Sequence, residues 1–435
     1  MKFAVGAFRN KRYAMNKRLL IVFTLGFSSG LPLALVSSTL QAWFASAGMS
    51  VLLTGMLSLI GLPYVYRTIW GPLLDRYSLF SLGKRRSWML SMQVVLLVGF
   101  NLMAWCQPEH SPKVLAFLAF FLACASATQD MAIEAHRTEY LPDEAHAIGA
   151  SFAVFGYRLA LLFSGGLALI IAEYVGWRAA YQCMGLLMGL GMLASWYSPE
   201  PSQQVAQPEN VLDSFTAPVR ELWSRPGIVP LVFFIIFFKL GEAFTTTVSG
   251  IVMPFLIQGV GFSLDVIGYV NKMMGVSAIL LGGLASGILL IRWSLLRALM
   301  VFGLLQAIAN GLFVLLALVG KNITLFATAV VFDNFAAGMG STALVALLMR
   351  IVDRRYTATQ FSLLAALSTL PRVLSGPVAA MIQSYIGWVG LYQISVILAL
   401  GFVPFLLMLR QTPWMSSGVE DDVLPSTLSI YTKHK

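Results

Sequence analysis

The sequence predicts an all-α membrane protein whose twelve transmembrane helices form two halves of six helices each. The 435 residues are 58% hydrophobic and only 11% charged, whereas soluble domains contain about 25% charged residues. Apolar runs long enough to cross a bilayer, about 20 residues, recur twelve times. A polar, proline-rich stretch separates the sixth run from the seventh. This composition excludes a soluble enzyme, a nucleic-acid binder and a disordered protein.

The twelve apolar runs use most of the chain and leave no room for a soluble catalytic domain. The run nearest the start follows several basic residues, as a signal peptide would. It is longer than the roughly 7–15 apolar residues of a signal peptide, so we expect it to be the first span. The predicted spans lie near 19–41, 50–70, 87–106, 114–134, 148–172, 179–197, 228–256, 265–290, 296–319, 323–349, 359–384 and 389–410.

The distribution of basic residues predicts the orientation. With both termini in the cytoplasm, the cytoplasmic segments hold 21 of the 29 lysines and arginines, and the outer loops hold three. Positive residues favour the cytoplasmic side, so the net charge of +10 reflects topology and does not predict a nucleic-acid partner. The three cysteines and four histidines form no cluster. We therefore expect no metal, no cofactor and no disulfide framework.

The polar stretch 198–226 divides the chain into an N-terminal half, 1–197, and a C-terminal half, 227–410. It contains five prolines and four acidic residues. Val219, Leu222 and Trp223 belong to an apolar series of roughly helical spacing, which indicates a short helix on the inner membrane surface. The remaining residues, 411–435, are predicted to form a cytoplasmic tail.

The two halves resemble each other in sequence. Three matches share an offset of 211 residues: Gly176-Trp177 with Gly387-Trp388, Tyr181-Gln182 with Tyr392-Gln393, and Ser151 with Ser362. They occupy equivalent places in equivalent spans. Two six-helix halves with a substrate cleft between them describe the major facilitator fold.

The loop between the second and third spans supports this fold. Its residues resemble the major facilitator signature, in which a glycine permits close helix approach and an acid joins basic residues in a cytoplasmic charge cluster. We predict that the cluster acts as a conformational latch, and it also serves as a positive-inside anchor. The latch residues are Gly71, Asp75, Arg76, Arg85 and Arg86.

Asp130 and Glu134 are the candidate proton-coupling residues of the fourth span. Ionisable side chains within a membrane are costly and are usually functional or paired. These two carboxylates are four residues apart and share a helix face, and desolvation with mutual repulsion favours the protonated form. The alternative is a structural salt bridge from Glu134 to Arg137 or Arg158.

Arg158 in the fifth span and Arg372 in the eleventh are predicted to hold the substrate. They lie at similar depths in the two halves. A guanidinium is well suited to bidentate binding of a carboxylate. The alternative is that each arginine neutralises an acid within the membrane.

Charged residues also interrupt the seventh, eighth and tenth spans. Lys239 and Glu242 are three residues apart and can form an intrahelical pair. Lys272 interrupts the eighth span and Asp333 the tenth. A cleft lined by these residues and the two arginines is predominantly positive, which favours an anionic or zwitterionic substrate.

From about residue 20 to residue 410, the chain resembles the AmpG-type muropeptide permeases of the bacterial inner membrane. The matching blocks occur in the family order. They include Leu25-Gly26-Phe27-Ser28-Ser29-Gly30, Ala127-Thr128-Gln129-Asp130, Gly156-Tyr157-Arg158-Leu159, Lys239-Leu240-Gly241-Glu242, Val270-Asn271-Lys272 and Phe332-Asp333-Asn334.

The resemblance implies proton-coupled import of cell-wall fragments across the inner membrane. The protein is then a transporter and not an enzyme, and transporters of this type are often monomers. The family cargo is N-acetylglucosamine joined to anhydro-N-acetylmuramic acid, with or without a short peptide. Among the matched residues, we assign Glu242 to proton coupling and Gln129, Lys239, Lys272 and Asp333 to the substrate. The chain departs from the family pattern at His136, where a tryptophan is usual and where a change in the accepted fragment is expected.

Two other functions remain open from the sequence. One is a major facilitator with a different anionic cargo, such as a siderophore or an acyl-coenzyme A-like metabolite. The other is a membrane protein that senses or catalyses without net transport. Enzymatic action is disfavoured because the chain has neither a nucleophile–base arrangement nor an ATP-binding loop.

Overall fold

The computed structural model describes residues 2–142, 145–200, 219–352 and 357–412, without the side chains of residues 2–14, 68, 72, 75, 146–147 and 357–359. Within these ranges the regular structure is entirely helical. Each predicted span falls on a helical segment, and we number these segments α1–α12. The described part of the linker is helical over 219–223, where Leu222 is buried and Trp223 is exposed. The rest of the linker, 201–218, and the tail from 413 onward lie outside the described residues.

The first six segments run from residue 2 to residue 197. They are α1 (Lys2–Val36 and Ser38–Ser46), α2 (Val51–Met56, Leu57–Gly61, Leu62–Tyr66, Arg67–Ile69 and Gly71–Arg76), α3 (Lys84–Met103), α4 (Pro112–Tyr140), α5 (His146–Leu162, Phe163–Leu167 and Ala168–Tyr174) and α6 (Trp177–Tyr197).

The last six segments run from residue 228 to residue 409. They are α7 (Ile228–Ala243, Thr247–Ser249, Val252–Pro254 and Phe255–Val260), α8 (Leu264–Ile267, Gly268–Met274 and Gly275–Leu290), α9 (Leu295–Val319), α10 (Ile323–Ile351), α11 (residues 357–386) and α12 (residues 388–400 and Phe402–Leu409). Gly387, at φ 72°, separates α11 from α12.

By length and composition, eight helices in the described ranges are apolar enough to cross a membrane. One of the eight, 360–409, contains both α11 and α12, whereas α2 is shorter over its apolar part, 51–66. These helices establish a multi-pass membrane architecture. The count of twelve spans stays a prediction.

Close backbone contact joins α1 to α5. A Cβ atom at Gly26 would lie 2.4 Å from the carbonyl oxygen of Ala153, and one at Gly156 would lie 2.2 Å from that of Phe23. These distances leave no room for a side chain, so small residues allow the two helices to pack against each other. Gly282 of α8 and Gly338 of α10 make a similar contact in the second half of the chain.

The sequence repeat has a structural counterpart. Gly176 and Gly387 both have a left-handed backbone, with φ values of 103° and 72°, which glycine adopts at little cost. The matched Tyr181 and Tyr392 are both fully buried. Tyr181 packs with Trp43 at a ring distance of 5.0 Å, and Tyr392 packs with Phe255 at 4.7 Å.

Contacts between the first six helices and the last six close one end of the bundle. This closed end comprises the end of α1, the start of α2, the end of α5, and the α7–α8 region around residues 247–272. Hydrogen bonds across it include Gln41 Nε2 to the Val248 oxygen (3.3 Å) and Gln258 Nε2 to the Ala45 oxygen (2.8 Å). The hydrogen bonds between described residues that join the two sets of helices lie in this region, with one exception next to it. There, Ser58 Oγ donates to the backbone oxygen of Val373.

Candidate functional site

A cavity of about 490 Å³ lies on the other side of these closing contacts. Its volume is within the range of about 300–1,000 Å³ found for small-molecule sites. Residues from α1, α2, α4 and α5 form much of its wall, and α7 and α11 complete it. The polar and charged lining residues in the described part of the chain are Ser29, Tyr64, Arg67, Asp130, Glu134, Arg137, Tyr157, Thr369 and Arg372.

Arg67, Asp130 and Glu134 form a charge cluster on the α2–α4 wall. The Arg67 guanidinium is 3.2 Å from Glu134 Oε1 and 3.8 Å from Asp130 Oδ2. Asp130 also accepts a hydrogen bond of 2.6 Å from Ser29 on α1. Asp130 is 7% exposed, whereas the Glu134 side chain is 54% exposed. Arg67 therefore contacts two carboxylates, of which Asp130 is buried and Glu134 is accessible to solvent.

Helical geometry explains how α4 presents these acids. Residues four apart lie on one helix face, and the 29-residue helix Pro112–Tyr140 carries both toward α2. Arg67 comes from the 3₁₀ segment Arg67–Ile69. Glu134 does form a salt bridge, but its partner in the described ion pair is Arg67. Both predicted partners, Arg137 and Arg158, were therefore wrong.

Sequence reasoning assigned no role to Arg67. The available signal was a basic residue inside the second apolar run, which is costly unless it has a partner or a function. Ser29 was also missed, because a serine in an apolar helix has many structural explanations. Its contact with Asp130 spans 101 residues of sequence.

A second charge cluster joins α7, α10 and α11. Lys239 Nζ lies 3.1 Å from Glu242 Oε1, which confirms the predicted intrahelical pair. Lys239 also donates to Ser341 Oγ at 2.8 Å. Arg372 Nε is 3.7 Å from the same Glu242 oxygen and has no hydrogen-bond partner among the described residues. Arg372 thus lies on the cavity wall and also contacts Glu242 of the buried Lys239–Glu242 pair.

Asp333 occupies a buried polar site behind this cluster. Its Oδ1 accepts hydrogen bonds from Thr245 Oγ1 (2.7 Å) and Gln306 Nε2 (2.6 Å). No basic side chain of the described residues lies within ion-pair distance of it. Asp333 is not among the described residues that line the cavity.

The predicted substrate residues are therefore spread over several places. Arg372 is on the cavity wall. Arg158 is half-buried, directly after the lining residue Tyr157, and is not among the described lining residues. Gln129 is fully buried and donates to Ser28 Oγ at 2.9 Å. Lys239 lies behind Arg372, and Lys272 lies at the closed end. The predicted pair of mirrored arginines is replaced on the cavity wall by Arg67 and Arg372.

Comparison with known proteins identifies the family. The sequence model of the Major Facilitator Superfamily matches residues 19–247. The chain is 40% identical over 402 residues to the anhydromuropeptide permease of Escherichia coli strain K12, a match that covers 92% of this chain and 81% of that protein. The chain belongs to the AmpG-type permease family of the major facilitator superfamily. It is a multi-pass membrane transporter of small molecules.

Other relatives agree with this assignment. A putative transporter, AmpG 4, of Rickettsia felis is 29% identical over 405 residues, covering 91% of this chain and 97% of that protein. The crystal structure of a D-xylose-proton symporter superposes with a TM-score of 0.71 at 14% identity, covering 92% of this chain and 99% of the other. That likeness establishes the major facilitator fold. The relatives are transporters and not enzymes, and they do not favour the alternative cargoes.

Two of the five predicted latch residues, Arg85 and Arg86, belong to a polar network at the start of α3. Arg85 forms a 2.6 Å ion pair with Glu139 at the end of α4. Arg86 donates to the backbone oxygens of Ser195 (3.2 Å) and Trp196 (2.6 Å) at the end of α6. The Glu200 carboxylate accepts the backbone N–H groups of both arginines, at 2.7 and 3.1 Å. It caps the start of α3, where a negative charge is favourable.

Two further latch residues, Gly71 and Arg76, make fewer polar contacts with the described residues. A Cβ atom at Gly71 would be 3.8 Å from Met131 Sδ, an ordinary contact, so no close approach between described residues depends on this glycine. The Arg76 guanidinium lies 5.9 Å from the Tyr77 ring. The side chain of Asp75 lies outside the described residues.

His136 belongs to the latch region and not to the cavity. It is fully buried, and its Nε2 lies 2.9 Å from Ser198 Oγ and 3.2 Å from the Pro199 oxygen. Its ring also packs against Tyr140. These contacts do not support the predicted effect of His136 on the accepted fragment. The described residues contain no group of three or more His, Cys, Asp and Glu that could hold a metal ion.

Proposed function

We propose that this transporter imports anhydromuropeptides across the bacterial inner membrane together with protons. The cargo is N-acetylglucosaminyl-anhydro-N-acetylmuramic acid, with or without a peptide, taken up for cell-wall recycling. The observation that carries the proposal is the cavity wall on which Arg67 contacts both Asp130 and Glu134. The full-length similarity to an anhydromuropeptide permease supports the choice of cargo.

The coupling follows from competition for one guanidinium. In the proton-free state, Arg67 is neutralised by the two carboxylates. Protonation removes their charge, weakens both ion pairs and leaves guanidinium N–H groups available to a carboxylate of the cargo. Cargo release reverses the exchange, since the freed Arg67 again favours the ionised acids. Proton and anionic cargo therefore bind together, as symport requires.

Arg372 supplies a second basic contact from the α11 wall. Its side chain is 32% exposed and meets Glu242 at 3.7 Å, which is longer than a close charge-assisted hydrogen bond. We assign Glu242 the role of holding Arg372 and Lys239 that of holding Glu242, with Glu242 as a further proton-coupling candidate. The cargo has carboxylates, amides and hydroxyls, which match the guanidinium, tyrosine and hydroxyl groups of the wall.

The remaining assignments complete the transport cycle. The halves 1–197 and 227–410 move against each other as a monomer, and both termini are cytoplasmic. The closed end then faces the periplasm, and the cavity with Glu134 and Arg137 faces the cytoplasm. In this orientation the conformation is inward-facing. The Arg85–Glu139 and Arg86–α6 contacts form the cytoplasmic latch.

Uptake by purified protein in proteoliposomes tests the function. Radiolabelled disaccharide anhydromuropeptide is added outside, with an imposed inward proton gradient and with or without an uncoupler. We expect accumulation above equilibrium that the uncoupler abolishes. Protein that is folded and correctly inserted, yet takes up none of this cargo under the gradient, would contradict the proposal. Accumulation that is insensitive to the uncoupler would contradict proton coupling alone.

A further inference from the structure

Lys272 is a buried cation that crosses from α8 into the first six helices. It belongs to the π-helical segment Gly268–Met274 and is 9% exposed. Its ammonium donates to Ser38 Oγ on α1 (3.1 Å) and to Thr247 Oγ1 (3.3 Å). The lysine therefore bridges the two sets of helices at the closed end.

The opposite helix is shaped to receive this side chain. A Cβ atom at Gly165 would lie 2.6 Å from Lys272 Cε, and one at Gly166 would lie 3.2 Å from Lys272 Cβ. Both glycines belong to the π-helical segment Phe163–Leu167 of α5. Single π-helical turns occur frequently at functional sites. Here two of them face each other around one lysine.

The described surroundings do not neutralise the charge. No carboxylate of the described residues lies within ion-pair distance of Lys272, and two neutral hydroxyls satisfy two of its three N–H donors. Two carboxylates at the same end are used elsewhere: Glu173 accepts the Leu264 N–H at 3.1 Å, and Asp265 accepts from Tyr174 at 3.1 Å. An uncompensated ammonium inside a membrane protein is costly and indicates a function.

Ser38 and the glycine pocket belong to the first six helices, so an opening of the closed end would separate Lys272 from them. In the predicted orientation the ammonium would then lie at the outer mouth of the cleft, where Thr247 of its own set of helices is the hydroxyl partner that it keeps. We propose that Lys272 binds a carboxylate of the incoming cargo in the outward-open state and is withdrawn into α1 and α5 when that end closes. This inference rests on the proposed function and adds an anion-binding group at the outer mouth of the cleft.

The test compares an acidic cargo with its neutral analogue. The probes are the peptide-free anhydrodisaccharide and the same molecule with its carboxylate converted to an amide. For Lys272→Met we expect the KM for outside acid to rise about 10-fold or more, as for loss of a charge-assisted contact. The KM for the amide should stay at the wild-type value, and Lys272→Arg should restore most of the affinity for the acid. Lys321→Gln, which removes an exposed lysine predicted to lie at the same end, should change neither value.

A cysteine reporter shows whether the variant still opens. Ala42 is fully buried at the closed end, so in a cysteine-free background Ala42→Cys should react with an impermeant thiol reagent only after opening. Lys272→Met that is labelled as fast as the parent and loses the acid selectively supports the proposal. An equal loss of acid and amide transport, or an unchanged KM for the acid, overturns it. Wild-type protein that transports neither sugar fails the proposed function instead, and the labelling rate still reports opening.

Discussion

At the scale of single residues, the charged side chains of the cavity differ in their exposure to solvent and in their partners. Asp130 is buried, accepts a hydrogen bond from Ser29 and forms an ion pair with Arg67. Glu134 forms an ion pair with the same arginine but is largely exposed. An acid that must exchange a proton for an ion pair needs both a partner and access to water. The cluster supplies the partner through Arg67 and the access through Glu134 and the cavity.

Replacement of Asp130 by Asn should uncouple transport from the proton gradient. The amide keeps the hydrogen-bonding shape but cannot take up or release a proton, so accumulation should fall to equilibrium while exchange of cargo across the membrane continues. Proton-driven uptake and counterflow in the same proteoliposomes measure the two activities. Glu109→Gln, an exposed change in the α3–α4 loop, serves as the control. Undiminished accumulation by Asp130→Asn would remove this residue from the coupling site.

Replacement of Arg67 and replacement of Arg158 should have different effects on cargo affinity. Arg67 lines the cavity and Arg158 is not among its described lining residues, so Arg67→Gln should weaken binding about 10-fold or more, as expected for loss of a charge-assisted contact. Arg158→Gln should bind like the wild type. Equilibrium binding of labelled cargo to purified protein measures both, and elution as a single sharp peak verifies folding. A larger loss in Arg158→Gln would restore the original prediction of mirrored arginines.

At the scale of elements, glycine contacts and helix irregularities position the site. Gly26 and Gly156 allow α1 to approach α5, which brings Ser29 of α1 and Tyr157 of α5 onto the same cavity wall. The 3₁₀ segment of α2 turns Arg67 toward α4, and the π-helical segments of α5 and α8 make room for Lys272. These departures from the regular α-helix occur where charged side chains must be placed.

Gly156→Ala should destabilise the folded protein, because the added Cβ atom would lie 2.2 Å from the backbone oxygen of Phe23. Overpacking of this kind costs about 1–3 kcal/mol. Gly189→Ala is the matched control, since a Cβ atom there would meet no atom of the described residues within 4 Å and alanine favours the helix. Thermal unfolding in detergent should show a lower Tm for Gly156→Ala only. Equal Tm values for both variants would contradict the close α1–α5 contact.

At the scale of the whole molecule, the structure is closed at one end and has a charged cavity beyond the closure. Hydrogen bonds between described residues of the two sets of helices lie in or next to the closed end. Which compartment the cavity faces depends on the orientation in the membrane. The predicted orientation makes the closed end periplasmic and the present conformation inward-facing.

Reporter fusions test this orientation. Alkaline phosphatase is active only after export, so a fusion after residue 410 should be inactive if the C-terminus is cytoplasmic. A fusion after Lys321, in the predicted outer loop between α9 and α10, should be active and provides the control. Strong activity after residue 410 would break the twelve-span topology and reverse the assignment of the closed end.

Sequence patterns were sufficient for the features that depend on composition and local spacing. Apolar length predicts membrane helices because the bilayer imposes the same requirement along the whole chain. The spacing of Asp130 and Glu134, and of Lys239 and Glu242, predicts a shared face because helical periodicity is local. The matched Gly-Trp motifs predict a repeat, and both glycines adopt the same left-handed backbone in the structure.

Pairing across the bundle was decided by the tertiary structure alone. Arg67 was identifiable as an arginine within an apolar run, but its choice of Asp130 and Glu134 over other acids depends on how α2 packs against α4. Arg158 and Arg372 have similar sequence environments, yet only Arg372 is among the described cavity residues. Lys272 lies between Ser38 and Thr247 because two irregular helices meet there. A charge within one helix shows only that a partner is needed, and the packing of the other helices determines which partner it finds.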